Sequence, residues 1–96
     1  MTAPAVPTAA ATCTIVNSRG LHARAAAKFV KLAQAYDAEV TVECHGARVP
    51  ATSILGLMML AAGRGTTLAL EATGNEATTA LAALVALVEN GFDESD

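Results

Sequence analysis

Residues 38–50, AEVTVECHGARVP, narrow the possible folds more than any other stretch of the chain. Val40, Val42 and Cys44 alternate with Glu39, Thr41 and Glu43, so a strand here has one apolar face and one polar face. His45 and Gly46 suit a tight turn into a short partner strand, ARVP, which Pro50 ends because it has no N–H to donate to a ladder. A hairpin of this kind belongs to an antiparallel sheet that is buried on one side and wet on the other. An apolar layer must cover the buried side.

The flanking segments supply that layer and the other strands. ATCTIV (11–16) has the β-branched content of a strand, and TTLALEAT (66–73) alternates to turn Leu68, Leu70 and Ala72 inward. From Ala23 to about Tyr36, the apolar positions Ala26, Phe29, Val30 and Ala33 follow helical spacing, with Lys28, Lys31 and Gln34 on other faces. TSILGLMMLAAGRG (52–65) reads as a short helix capped by Ser53 or Thr52 and closed by Gly63. The last helix runs from Glu76 to about Asn90. Ala77, Leu81, Leu84 and Val88 lie on its core face, Asn75 is the expected N-cap, and Gly91 follows its end. The order β-α-β-β-α-β-α predicts an α+β protein, a two-layer α/β sandwich with its helices on one face of an antiparallel sheet.

A chain of 96 residues is one small domain. The expected division is a loose tail at 1–9, the domain at 10–91, and a frayed acidic tail at 92–96. Apolar runs stay short of the ~18–20 residues that span a bilayer. The opening MTAPAVPTAA has neither the basic nor the long apolar region of a signal peptide, so a cytoplasmic location is expected. Net charge is −3, against nonspecific nucleic-acid binding, but residues 1–48 carry +2 and residues 49–96 carry −5. That positive excess surrounds GLHARAAAKFV (20–30) and suits either an anionic ligand or simply a solvated helix face.

His22 falls at the expected N-cap of the first helix. Backbone N–H groups of the first turn have no intrahelical acceptor there, and the helix dipole favours negative charge nearby. The same dipole favours a neutral ring with one nitrogen available as a nucleophile, and a phosphoryl group on that nitrogen would meet amide donors. Arg24 is within the same turn and able to add a charge-assisted contact, while the following alanines leave room for a partner's active site. On the local residues alone, a surface histidine acting as a mediocre cap is the competing reading.

GLHARAAAKF closely resembles the active-site segment of the HPr family, the histidine-containing phosphocarrier proteins of the bacterial phosphotransferase system. TSILGLMMLAAGRGT resembles that family's second signature, and the likeness covers residues from about 11 to 90. The resemblance implies an open-faced sandwich: a four-stranded antiparallel sheet with three helices on one face. It implies that His22 accepts phosphate on Nδ1 from phosphorylated Enzyme I and passes it to an Enzyme IIA-type protein, with Arg24 assisting. The carrier is then not an enzyme in its own right, needs no cofactor, and is most simply a monomer. The family usually has proline where this chain has Ala25, a change that loosens the helix start slightly and alters rates more than function. By the same resemblance Ser53, besides capping its helix, is the target of a regulatory HPr kinase/phosphorylase. Ile54, Leu55 and Met58 form the docking face, and Lys28 and Lys31 steer acidic partners towards it. A regulatory binding module acting through Ser53 and this face is the alternative. Sugar uptake and a nitrogen-related phosphorelay both remain open; LMMLAAGRGTTLALEATG looks more like the nitrogen-related and proteobacterial carriers.

Three other readings are weaker. Cys13, His22, Cys44 and His45 are metal-ligand types, but they lack a CxxC or HxxxH pair, so no metal is expected. Catalysis within the chain would need a group that orients the His22 ring, and the clustered acids lie mostly in the tail. Single-strand nucleic-acid binding would need aromatics on the sheet, and Phe29, Tyr36 and Phe92 fall on no expected strand.

Overall fold

The computed structural model describes residues 7–94. Its elements are β1 (Thr8–Thr14), α1 (Ala23–Ala33), β2 (Glu39–Cys44), β3 (Ala47–Pro50), α2 (Ile54–Met59), β4 (Thr67–Thr73) and α3 (Ala77–Glu89), closed by a 3-10 turn at Gly91–Asp93. The four strands form one antiparallel sheet in the order β1-β4-β2-β3. The α+β open-faced sandwich expected from the sequence is the fold observed.

Alternation decides which side of the sheet is covered. Val42 pairs with Val49 on one side and Leu70 on the other, Ala72 lies between Ala9 and Val40, and Cys13 faces Leu68. Cys13, Val40, Val42, Cys44, Leu68, Leu70 and Ala72 are buried beneath the helices. On the wet face Arg48 reaches both Glu43 and Glu71, at 3.3 and 2.8 Å. From above, α3 lies over β1 and β4, and α1 packs against both α3 and α2. Ala25, Ala26, Phe29, Val30 and Ala33 of α1 join Ala77, Ala80, Leu81, Leu84 and Val88 of α3 in one core. Small residues at several of these positions keep the layers close, so the core depends on fit more than on bulk.

Several boundaries differ from expectation, each for a local reason. β1 begins at Thr8, inside the segment expected to be a loose tail, and residues 1–6 lie outside the described residues. Its alanines are poor strand formers, but an unbroken register from Thr8↔Thr73 to Thr14↔Thr67 overrides propensity. Helix α2 ends at Met59, before Gly63. The N–H groups of Leu60 and Ala61 turn back three residues to Leu57 and Met58, and Ala61 takes a left-handed φ of 54°. Ser53, not Thr52, caps this helix, accepting from the Gly56 N–H at 2.9 Å. The N-cap of α3 is Glu76 rather than Asn75. Asn75 donates instead to Asp37, whose own backbone is bonded by Glu76, so this corner holds the α1–β2 loop.

The acidic end is a fourth correction. Gly91 follows α3 with a φ of 67°, as expected, but Phe92 is 0% exposed rather than frayed. Its aromatic ring belongs to the core, and that burial holds the chain as far as Glu94; residues 95–96 lie outside the described residues.

Two measurements probe these elements. Burial, reinforced by Glu89, pushes the Cys13 thiol from its ordinary 9.0 up to about 11. The unfolded chain ionises this thiol first, so its contribution to stability is complete below pH 9.0 and is lost as pH rises towards about 11. Urea unfolding of wild type and Cys13→Ala across that window should show the wild type losing more. Ser53→Ala removes one capping acceptor and should lower unfolding free energy by about 1 kcal/mol, read from the urea midpoint.

Candidate functional site

His22 is the N-cap of α1, with extended backbone angles (φ −77°, ψ 178°) and no side-chain capping bond. Its carbonyl accepts from the Ala26 N–H at 2.8 Å, closing the first turn. The N–H groups of Ala23, Arg24 and Ala25 therefore have no acceptor one turn back, which makes the helix mouth suited to an anion. The ring itself is free to do something other than cap.

The approach to His22 is fixed by one close contact. Gly20 has a φ of 64°, and a Cβ there would fall 2.6 Å from the Ala62 carbonyl oxygen. That same oxygen accepts from the Leu21 N–H at 2.9 Å. Glycine thus lets the strand-to-helix loop lie against the chain leaving α2, joining the two sequence motifs in space.

The partner of the ring was not legible in the sequence. Nε2 of His22 is hydrogen-bonded to the Glu94 carboxylate. The other Glu94 oxygen accepts from Asn17 Nδ2 at 2.8 Å, and the same amide donates to the Gly20 carbonyl at 2.9 Å. Asn17 is buried, and its Oδ1 has no hydrogen-bond partner among the described residues. Lys28, expected to steer partners, also donates Nζ to the Phe92 carbonyl at 2.7 Å. A carboxylate only accepts, so in the neutral ring Nε2 carries the proton and Nδ1 holds the lone pair. Among the described residues Nδ1 has no hydrogen-bond partner.

Arg24 is exposed two residues beyond His22, with no hydrogen bond or ion pair among the described residues. Ala25 is fully buried, and α1 still begins at Ala23 without the proline. Across from this mouth, α2 turns Leu57 inward and exposes Ile54, Leu55 and Met58, as expected. Met59, 75% exposed, and Val16, 45% exposed, are apolar surface residues that the spacing argument did not single out. Lys31 is exposed on α1. Cys13 and Cys44 sit on strands separated by β4, and no group of three or more His, Cys, Asp or Glu side chains converges on a metal position among the described residues. Among the described residues no helix is long and apolar enough to cross a membrane.

An open-faced sandwich with an oriented imidazole at the mouth of its first helix has the form of a histidine phosphocarrier. A family model described as the PTS HPr component phosphorylation site matches residues 9–90. The chain belongs to this HPr family of phosphotransferase-system phosphocarriers. It is 47% identical over 83 residues to the phosphocarrier protein HPr of Cupriavidus necator, covering 86% of this chain and 93% of that protein. To the phosphocarrier protein NPr of Shewanella violacea it is 48% identical over 82 residues, covering 85% and 90%. The crystal structure of HPr-C-His from Thermoanaerobacter tengcongensis superposes with a TM-score of 0.86 at 39% identity, covering 92% of this chain and 99% of that one.

Proposed function

We propose that this protein takes a phosphoryl group from phosphorylated Enzyme I onto Nδ1 of His22 and delivers it to an Enzyme IIA-type acceptor. The observation that carries the reading is the division of labour on the ring: Glu94 takes Nε2, and Nδ1 stands without a partner among the described residues. Amide donors of the first helical turn and the guanidinium of Arg24 are the groups that would meet the phosphate. The helix dipole contributes only about 0.3–1 kcal/mol, perturbing a group meant to be passed on without trapping it. Ile54, Leu55 and Met58 are the proposed docking face, extended by Met59, and Lys31, exposed on α1, would steer acidic partners. The protein works as a cytoplasmic monomer, and the chemistry is completed in partner active sites.

Ser53 is proposed as a regulatory site for an HPr kinase/phosphorylase. Phosphate there would add negative charge beside exposed Ile54 and Leu55 and so weaken docking. The test of the main reading is incubation with Enzyme I and phosphoenolpyruvate, followed by intact-mass and peptide mapping. One acid-labile, alkali-stable phosphoryl group on the peptide containing His22 supports it. No adduct from an active cognate Enzyme I overturns it and favours a regulatory module acting through Ser53.

A further inference from the structure

Glu94 reaches His22 from 72 residues away, and its approach is built. Phe92 is sunk in the core and its carbonyl is held by Lys28 on α1. Two residues on, Asn17 holds one carboxylate oxygen of Glu94 and the other meets the ring. Asn17 Nδ2 also bonds the Gly20 carbonyl, so the loop that presents His22 and the carboxylate that faces it share one buried amide. A carboxylate fixed at both oxygens sets which ring nitrogen carries the proton and how the ring is turned.

We propose that Glu94, held by Asn17, is a positioning residue for phosphoryl transfer at His22. This rests on the phosphocarrier reading above. The Nδ1 lone pair attacks the phosphorus of a phosphohistidine on the donor protein. An Nδ1–P bond forms as the donor's N–P bond breaks, and the electron pair of the broken bond leaves on the donor's ring nitrogen. Nε2 keeps its proton, so the phosphorylated ring carries a positive charge opposite the Glu94 carboxylate. In the onward step the acceptor's nucleophile bonds phosphorus, and the pair of the Nδ1–P bond returns to Nδ1. No proton has to leave the His22 ring in either direction, which fits a reversible carrier. Without the carboxylate, the neutral ring would divide between two tautomers, and the one protonated at Nδ1 cannot attack.

The test compares wild type with Glu94→Gln and with a chain ending at Asp93, which keeps Phe92. Nitrogen-15 spectra of the unphosphorylated His22 ring, at a pH where it is neutral, should show the Nε2–H tautomer dominant in wild type and a mixture in both variants. The rate of phosphorylation by phosphorylated donor should fall about tenfold in both, as expected for losing one charge-assisted hydrogen bond. Urea unfolding of each variant identifies any loss that comes from folding instead. Unchanged tautomers, or rates within about twofold of wild type, overturn the role of Glu94. A wild-type chain that accepts no phosphate overturns the carrier reading itself, a failure visible before any variant is compared.

Discussion

His22→Ala is expected to abolish phosphoryl acceptance while leaving the fold intact. Removing a nucleophile that no neighbour replaces should lower the rate by more than about 10³-fold. Cys13 and Cys44 are buried beneath the helices and not placed to substitute for it. Stability should change little because the imidazole is only partly buried and does not cap α1. Alanine also leaves the backbone bond from Ala26 to residue 22 in place. Thermal unfolding followed beside the phosphorylation assay separates the two effects. A large fall in Tm would show that the ring is a structural support, and residual acid-labile phosphate in the variant would place the acceptor elsewhere.

Phe92→Ala is expected to have the largest effect on stability. The ring is fully buried in the common core, and truncating a buried phenylalanine costs about 3–5 kcal/mol. For a domain of this size that corresponds to a fall in Tm on the order of 20 °C. The variant should also lose rate at His22, because Phe92 anchors the turn from which Glu94 reaches the ring. Phe92→Leu, which keeps most of the buried volume, should recover much of both. A calorimetric scan and the phosphorylation rate of each variant provide the check. Loss of stability with an unchanged rate among folded molecules would separate the anchor from the site.

Much of the architecture was legible because alternation and helical spacing are local properties. Val40–Val42–Cys44 and Leu68–Leu70–Ala72 declared a buried face, and Gly91 marked the end of α3. β1 was harder to bound, since its alanines become a strand only by pairing with β4. The same limit applied at the site. His22 and Arg24 stood in one motif and Ser53 in another, but nothing near Glu94 in sequence connects it to a ring 72 residues away. Asn17 was equally silent: in the chain it reads as one more turn residue, and only its burial and its two bonds from Nδ2 give it a task. The acidic end looked frayed because the four residues that follow Phe92 are all acidic or polar; that one aromatic side chain outweighed them by entering the core.

The place of β4 within the sheet has a consequence for synthesis. It pairs with β1 on one side and β2 on the other, so every ladder except the β2–β3 hairpin waits for residues 67–73. An isolated hairpin is at best marginally stable in water. On the ribosome, therefore, His22 emerges long before there is a sheet to support its helix. Translation must pass Thr73 before the strands can assemble, and must reach Phe92 before the core is complete. A nascent or prematurely terminated chain carries His22 without the fold that presents it at the mouth of α1.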